Sequence, residues 1–544
     1  MTVATEKKKA RKTTSTSDTA SRLRRVHWST WALLIVILFF AGIRYRLSDV
    51  PLERDEGEYA YSGQLMLDGT PPYQISYTMK LPGTYGAYAA IMAVFGQTAS
   101  GIHTGLLLVN AGTTLLLVWI GRELFGRVAG AFSGMAYAAL SASPAVFGLA
   151  GHATHFVVTA ALAGVLLLLY ALETDRVALY FCSGTCLGLA FLMKQPGIVF
   201  AFFALLYFVY RKWHRLRDWR YIGASAGAMM AGIAWPFGLT CLILYRAGVF
   251  SKFWFWTVSY ARAYGTTLPF TMAVQVFRHT ALDILRLNGA IWIVAVVGFV
   301  VLFLRPQYRV HSLFVLGLSA FSFLGVSFGL YFRNHYFILL LPAVALAAGI
   351  AVDWGIELLK ERNSSQAIAA IPAIVFGMAL IVTTAVQSRF FFAMTPVVAS
   401  QKMYRANPFV EAKDISEYLK QTAPRGAKLA IFGSEPEIYF YSHLHSATGY
   451  IYTYSLMEDQ PYASQMQEEM IREVSDAKPD YVIFVDDELS WLWQPGGSRE
   501  LFFKWMQLYI NPQYVKAAQV DIGGSPGHLL GDTARIYLFQ RKSQ

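Results

Sequence analysis

Long apolar segments recur along the first 388 residues of the chain, and they constrain its fold more than any other feature. The first, at 28–45, approaches the roughly 20 apolar residues that cross a bilayer core about 30 Å thick. Hydrophobic residues make up 55% of the 544 residues, more than a soluble chain needs to fill its core. We therefore predict a polytopic α-helical membrane protein with about eleven transmembrane helices, at residues 28–45, 103–121, 128–148, 156–172, 177–193, 197–210, 222–246, 288–304, 311–331, 335–353 and 367–388.

Lysine and arginine residues indicate how these helices are oriented, because cytoplasmic loops retain an excess of them. Residues 1–27 carry eight and are predicted to form a disordered, basic cytoplasmic tail. With eleven spans, the basic loops at 122–127, 211–217, 305–309 and 360–362 all fall on that side. The net charge of +12 then reflects topology, and no nucleic-acid partner is needed to explain it. The segments predicted outside are 48–102 with an interfacial helix at 84–98, 149–155, 194–196, 247–287, 332–335 and 389–544.

Residues 389–544 differ from the transmembrane domain predicted at 28–388, because acidic residues outnumber basic ones and short apolar runs alternate with helical patterns. This alternation predicts a small soluble α/β domain outside the membrane. Helices are expected at 414–422 and 465–477, and strands at 428–432, 480–485 and 535–539.

An acidic cluster, Asp55, Glu56 and Glu58, follows the first span by about ten residues. Carboxylates beside a membrane usually serve a function there. An aspartate near a low-dielectric boundary has its pKa raised by desolvation or lowered by a neighbouring cation, and in either state it can accept a proton or hold a metal ion. The alternative is structural: Asp55 caps a helix that begins at Glu56, and Glu58 is solvated in its first turn.

Three stretches of the sequence resemble a known class of membrane enzymes. They are residues 55–59 with the following Leu67 to Tyr73 and Lys80-Leu81-Pro82-Gly83, residues 188–197 ending in Lys194-Gln195-Pro196-Gly197, and residues 331–336 with the sequence Tyr-Phe-Arg-Asn-His-Tyr, followed by Pro342. Over roughly residues 28–388 the chain is similar to the GT-C class of glycosyltransferases, which includes the protein O-mannosyltransferases and the aminoarabinose transferases of lipid A. The resemblance implies a polyprenyl-phosphate-linked sugar donor and transfer with inversion.

By this resemblance, Asp55 is the catalytic base and Glu56 is its support or partner acid. A polyprenyl chain stays in lipid while its phosphate lies at headgroup level, so such an enzyme needs an acid and phosphate-binding cations at the interface. Lys80, Lys194 and Arg333 are the cations that we expect to bind the donor phosphate.

Each of these cations lies in a predicted outer segment, near the end of a span. The alternative for all three is snorkelling, in which a long cationic side chain simply reaches the membrane surface. Arg262, in the predicted loop 247–287, has no motif support and is a secondary candidate.

A histidine pair, His152 and His155, stands where related enzymes often carry a second acidic residue. Spaced three apart, the two histidines could share a helix face and serve as base, phosphate donor or metal ligands. Alternatively, they are interfacial histidines bound to backbone or water. His335 and Tyr336 are further secondary candidates. No metal site is assigned, and whether a divalent cation takes part stays open.

The resemblance, together with the predicted topology, therefore implies an inverting glycosyltransferase of the bacterial inner membrane. It would move a hexose or pentose from polyprenyl phosphate to an acceptor hydroxyl of a lipid, glycan or protein at the outer face. The rival hypothesis is a transporter or flippase of lipid-linked saccharides. Transporters tend to show repeated halves, and no internal repeat is visible in the sequence.

Overall fold

The computed structural model describes residues 27–213, 218–264, 268–362, 365–493, 500–523 and 533–542. The tail predicted at 1–27 lies outside the described residues except for His27, as does most of the run 211–217. The helices of the membrane part are α1 (Trp28–Arg46), α2 (Arg54–Leu67), α3 (Gly83–Phe95), α4 (Ala99–Phe125), α5 (Arg127–Ser141), α6 (Ala153–Thr174), α7 (Val177–Met193), α8 (Ile198–Lys212), α9 (Trp219–Arg246), α10 (Phe250–Trp254), α11 (Ala261–Tyr264), α12 (Phe270–Leu304), α13 (Pro306–Arg309), α14 (Ser312–Val326), α15 (Leu341–Glu361), α16 (Gln366–Ala369) and α17 (Ile371–Val386). Short 3₁₀ segments lie at Pro144–Val146, Gln195–Gly197, Phe328–Leu330 and Asn334–Leu339, and π-helical turns at Phe255–Tyr260 and Arg389–Ala393.

An α-helix lies at each of the eleven predicted spans. By length and composition, 7 helices of the described chain are apolar enough to cross a membrane: α1, α4, α6, α9, α12, α15 and the α16–α17 pair. The other four, α5, α7, α8 and α14, are 15, 17, 15 and 15 residues long. The polytopic helical fold is therefore confirmed, while four of the predicted spans are carried by helices shorter than a typical crossing.

Prolines and a glycine change the boundaries of three predicted spans. The span 128–148 ends early because α5 stops at Ser141, just before Pro144, and the residue before a proline disfavours helix. The span 311–331 ends with α14 at Val326, and Gly329 nearby adopts a left-handed φ of 67° that no α-helix continues. The span 335–353 begins late, because α15 starts at Leu341 with Pro342 in its first turn.

The segment predicted as an outer loop, 247–287, is largely helical, and the span predicted at 288–304 begins much earlier. Helix α12 contains 35 residues and starts at Phe270. Arg278, Asp283 and Arg286 interrupt its first half and hide it from a hydropathy argument. At 1.5 Å per residue the helix is about 50 Å long, so it extends beyond the hydrocarbon core.

The C-terminal part is an α/β domain, as predicted. The elements are α18 (Pro396–Tyr404), α19 (Phe409–Thr422), β1 (Lys428–Phe432), α20 (Glu437–Ser442), β2 (His445–Ser446), α21 (Tyr454–Met457), α22 (Ala463–Ala477), β3 (Tyr481–Asp486), α23 (Glu488–Trp491), α24 (Glu500–Gln513), β4 (Tyr514–Asp521) and β5 (Arg535–Arg541). The sheet has the order β2-β1-β3-β5-β4, with β1 parallel to β2 and β3, and with β5 antiparallel to β3 and β4. The three predicted strands are confirmed as β1, β3 and β5, whereas the strands β2 and β4 and the helix α24 were not predicted.

The α/β domain packs directly against α2, the helix that begins with the acidic cluster. The Tyr61 and Tyr439 rings stack with their centroids 5.0 Å apart, and the Leu52 N–H donates to the Tyr441 hydroxyl at 2.8 Å. A Cβ at Gly57 would lie 2.6 Å from the backbone nitrogen of Glu437, so only glycine permits this approach. The acidic cluster therefore lies at the junction between the membrane helices and the α/β domain.

Candidate active site

A capping box fixes the start of α2. The Glu56 N–H donates to Glu53 Oε1 at 3.1 Å, and the Glu53 N–H donates to Glu56 Oε2 at 3.4 Å. The structural alternative from the sequence, in which Asp55 caps a helix beginning at Glu56, is therefore wrong. Asp55 lies inside the first turn, where the helix dipole stabilises negative charge, and its side chain is 20% exposed.

Lys80 lies between two carboxylates of α2. Its Nζ is 2.6 Å from Asp55 Oδ1 and 2.6 Å from Glu58 Oε2, and 4.7 Å from the centroid of the Tyr59 ring. Burial would raise the pKa of Asp55, but Lys80, His152 and Arg333 together outweigh burial and hold that pKa below its ordinary value. Burial would lower the pKa of Lys80, and the two carboxylates raise it instead. Lys80 is therefore charged, and Asp55 is an ionised carboxylate that still reaches solvent.

Glu58 is not the solvated residue that the sequence suggested. Its side chain is fully buried, and besides Lys80 it accepts hydrogen bonds from the hydroxyls of Thr78 at 2.7 Å and Tyr85 at 2.8 Å. Three donors satisfy a buried carboxylate without leaving an oxygen unpaired. Glu58 thus anchors the loop that carries Lys80.

Glu56 is also enclosed by protein, with 1% of its surface exposed. Its Oε1 accepts a hydrogen bond from the Gly151 N–H at 2.5 Å and lies 2.9 Å from His103 Nε2, while His103 Nδ1 lies 2.7 Å from the Ser48 carbonyl. Both ring nitrogens of His103 face acceptors, so a charged imidazolium satisfies this geometry. The arrangement favours the supporting role for Glu56. Sequence reasoning missed His103, although an ionisable residue inside an apolar span is itself a signal.

His152 and Glu53 border Asp55 on its other side. His152 Nδ1 lies 3.5 Å from Glu53 Oε1 and 3.9 Å from Asp55 Oδ2. Burial lowers the pKa of His152 to about 4, so its imidazole is neutral at physiological pH. Burial, reinforced by Asp55, raises the pKa of Glu53 well above its ordinary value. Glu53, which the sequence analysis did not select, is therefore a second carboxyl group beside the predicted base.

Lys194 and Arg333 complete a cluster of cations around Asp55. The Lys194 Nζ lies 4.1 Å from the centroid of the Tyr336 ring, and the exposed Arg333 guanidinium donates to the Tyr264 hydroxyl at 3.3 Å. Burial lowers the pKa of Lys194 to about 7, although Asp55 opposes this shift. The pKa of Arg333 is raised, first by Tyr264 and also by Asp55. The structure thus brings together the cations that the sequence analysis selected.

The remaining candidates divide into two groups. His335 stacks on His152 with ring centroids 3.9 Å apart, so it belongs to the cluster, as does Tyr336 through Lys194. His155 is buried near the start of α6 and is not part of this stacked pair. Arg262 is exposed on α11, and within the described part of the chain no contact joins it to Asp55 or the three cations.

Among the described residues, Asp55, His152 and His335 form a group of side chains close enough to be considered as metal ligands. One donor atom from each lies within 4.8 Å of the others, and a carboxylate with two imidazoles is typical of zinc sites. However, the two imidazole planes are only 12° from parallel. An imidazole binds metal in the plane of its ring, and one ion cannot lie in two stacked planes. This arrangement of the three residues therefore does not fit a shared metal ion.

The α/β domain contributes side chains to the same site. The Tyr452 hydroxyl donates to the Arg54 carbonyl at 2.8 Å, and the Tyr452 ring centroid lies 5.5 Å from Lys80 Nζ. The Arg54 guanidinium pairs with buried Glu435 at 2.9 Å and lies 5.1 Å from the Tyr454 ring centroid. Sequence reasoning missed these residues. The signal in the sequence was a local cluster of tyrosines, Tyr450, Tyr452 and Tyr454.

Comparison with known proteins supports the resemblance to the GT-C class. Residues 82–237 match the family described as dolichyl-phosphate-mannose-protein mannosyltransferase. The structure of ArnT from Cupriavidus metallidurans bound to undecaprenyl phosphate is similar with a TM-score of 0.58 at 14% identity, covering 94% of this chain and 98% of ArnT. The archaeal oligosaccharyltransferase AglB from Archaeoglobus fulgidus, in complex with an inhibitory peptide and a dolichol-phosphate, gives a TM-score of 0.55 at 13% identity, covering 93% of this chain and 75% of AglB. No curated protein sequence matches the chain.

The chain has the fold of the GT-C class of membrane glycosyltransferases, and the resemblance drawn from the three sequence motifs is confirmed. Within that class, its sequence similarity is to the protein mannosyltransferase family, over residues 82–237. This match covers less than half of the chain, and fold alone does not define a substrate.

Proposed function

We propose that the chain is an inverting glycosyltransferase that moves a hexose or pentose from a polyprenyl phosphate to an acceptor hydroxyl. One observation carries the proposal: a partly exposed carboxylate, Asp55, lies against Lys80 and is electrostatically coupled to Lys194 and Arg333. Glycosyl transfer from a lipid phosphate needs a base for the acceptor and positive charge for the departing phosphate, side by side. The relatives ArnT and AglB, with their bound polyprenyl phosphates, support this donor class.

The proposed reaction is a single displacement at the anomeric carbon. The acceptor oxygen forms the new bond on one face of the sugar while the bond to the phosphate oxygen breaks on the other, so the configuration inverts. Asp55 takes the proton of the acceptor hydroxyl, and the polyprenyl phosphate leaves with the bonding electron pair. Lys80, Lys194 and Arg333 stabilise its charge. Because Lys80 lowers the pKa of Asp55, pairing of Lys80 with the phosphate would make Asp55 a stronger base.

The proposed location is the bacterial inner membrane, with the N-terminus cytoplasmic and residues 389–544 an extracytoplasmic domain. The distribution of lysine and arginine supports this orientation. Single cysteines at the exposed Glu468 and Lys360, in a variant without native cysteines, would test it with a membrane-impermeant thiol reagent on intact spheroplasts. We expect labelling at position 468 only, and labelling at position 360 only would reverse the orientation.

The function is tested with purified protein and total lipid extracts as the source of both donor and acceptor. Products are identified by mass spectrometry, for wild type, Asp55→Asn and Asp68→Asn, the last an exposed aspartate at the end of α2. We expect wild type and Asp68→Asn to form a glycosylated product and Asp55→Asn to form none. Unchanged turnover by Asp55→Asn would remove it as the base. If wild type transfers no sugar but moves lipid-linked saccharides across vesicle membranes, the protein is instead a flippase.

A further inference from the structure

The segment that carries Lys80 has no regular secondary structure between the end of α2 at Leu67 and the start of α3 at Gly83. Side-chain contacts must therefore fix the position of the ammonium group. Two of them come from the membrane part: the Tyr73 hydroxyl donates to the Lys80 carbonyl at 2.7 Å, and the Gln195 side chain donates to the Met79 carbonyl at 2.7 Å.

The α/β domain holds the same segment at Tyr77. The Tyr77 N–H donates to the Gly449 carbonyl at 2.6 Å, and its hydroxyl donates to Glu473 Oε1 at 2.9 Å. The Tyr77 ring packs against Tyr450 and Trp256 with centroids 5.3 and 5.9 Å apart. Only 8% of Tyr77 is exposed, so this aromatic contact is closed to solvent.

Glu473 joins three backbone segments through one carboxylate. Its Oε2 accepts hydrogen bonds from the Thr448 hydroxyl at 2.6 Å and the Gly449 N–H at 2.9 Å, while its Oε1 accepts from Tyr77. A Cβ at Gly449 would lie 2.2 Å from the Tyr77 ring, so the close contact requires glycine. The Glu473 carboxylate thus holds Gly449, which contacts Tyr77 of the Lys80 segment, against helix α22.

Hydrogen bonds fix the short segment between Tyr77 and Lys80. The Lys80 N–H donates to the Thr78 hydroxyl at 3.3 Å, and that hydroxyl donates to the buried Glu58 at 2.7 Å. Glu58 in turn binds Lys80 Nζ at 2.6 Å. Because of these hydrogen bonds, a displacement of Tyr77 would also displace the Lys80 ammonium group.

We propose that Glu473 is a positioning residue for Lys80, so that the α/β domain sets the geometry of the donor-phosphate site through the Tyr77–Glu473 hydrogen bond. This inference rests on the proposed function, in which Lys80 binds the donor phosphate. Glu473 touches neither donor nor acceptor, and it acts through Tyr77 and the Lys80 segment. The α/β domain is then part of the donor site, in addition to any role with the acceptor.

The test measures binding of undecaprenyl phosphate to the purified full-length protein in nanodiscs. Tyr77→Phe removes only the hydroxyl and keeps the ring, and Glu473→Gln keeps the shape and removes the charge. Glu468→Gln, an exposed glutamate on the same helix, is the matched control. We expect both site variants to bind about tenfold more weakly, as for the loss of one charge-assisted hydrogen bond, and the control to bind like wild type. Because Tyr77→Phe removes a hydrogen bond that Glu473→Gln already disrupts, the double variant should bind no more weakly than Glu473→Gln alone.

A structural role is separated from a positioning role by repeating Glu473→Gln in a Lys80→Ala background. If Glu473 acts through Lys80, the second substitution adds nothing to the loss that Lys80→Ala causes. An additive loss would overturn the inference, as would wild-type affinity in Tyr77→Phe and Glu473→Gln. If wild type itself does not bind undecaprenyl phosphate, the proposed donor class fails and the inference fails with it.

Discussion

Asp55 and Glu58 lie one helical turn apart and bind the same lysine at the same distance, yet their surroundings differ. Glu58 is fully buried and accepts two further hydrogen bonds, whereas the Asp55 side chain is 20% exposed and interacts electrostatically with Lys194 and Arg333. A carboxylate whose lone pairs are occupied by fixed donors cannot take a proton from an incoming hydroxyl. The comparison separates a group available for chemistry from a group that holds it in place.

The largest effect is expected at Asp55, the partly exposed carboxylate, which we call the open side of the pair; buried Glu58 is the closed side. Asp55→Asn keeps the shape and removes the base, so we expect kcat to fall by about 10² to 10⁴-fold. Binding of undecaprenyl phosphate should not weaken, because Lys80 is released from one of its two carboxylates. Steady-state kinetics and lipid binding check the two parts, and a loss confined to donor binding would contradict the role of a base.

The next effect concerns the cations on the open side. Free Lys194 has a pKa of about 7, so above that pH it must take up a proton before it can pair with a phosphate. The affinity for undecaprenyl phosphate should therefore fall as pH rises from 7 to 9, by at most about tenfold per unit. Over this range the phosphate itself stays ionised, since its second pKa is about 6.

Lys194→Arg supplies the control for this pH dependence. Arginine stays charged throughout the range, so the variant should bind with little change between pH 7 and 9. The same downward slope in Lys194→Arg would assign the titration to another group.

A smaller effect is expected on the closed side. Glu58→Gln retains an acceptor for one hydroxyl but loses its charge toward Lys80, so the ammonium would be held by Asp55 alone. We expect KM for the donor to rise about tenfold, as for one charged hydrogen bond, while kcat changes little. The exposed Glu468→Gln should behave like wild type. A collapse of kcat to the level of Asp55→Asn would show that Glu58 belongs to the chemistry.

The sequence predicted the open half of the site better than the closed half. The open half consists of residues in short motifs of the predicted outer segments, namely Asp55, Lys80, Lys194 and Arg333. Such motifs can be recognised without knowledge of the fold. The burial of Glu58 depends on Thr78 and Tyr85, which lie 20 and 27 residues away, and on the packing of α3. Its local pattern, with glycine before it and tyrosine after it, resembles a solvated first turn.

The contribution of the α/β domain was beyond sequence reasoning for the same physical reason. Arg54 and Glu435 are separated by 381 positions, and Tyr77 and Glu473 by 396. Hydropathy located the spans because lipid acts on each segment separately, but it failed for the first half of α12, where Arg278 and Asp283 mask a continuous helix. Local forces were therefore predictable, and contacts between distant segments were not.

The smallest effect is expected from removal of metal ions, which tests whether Asp55 is a metal ligand or a base. If Asp55 served as a metal ligand with His152 and His335, Lys80 at 2.6 Å from its carboxylate would compete with the ion for the same oxygens. The stacked imidazoles also direct their lone pairs along separate planes. Treatment of the purified protein with EDTA followed by gel filtration should therefore leave transfer and undecaprenyl phosphate binding unchanged. Loss of transfer on chelation, restored by zinc in wild type but not in His152→Ala, would require one imidazole to turn and would make Asp55 a ligand rather than a base.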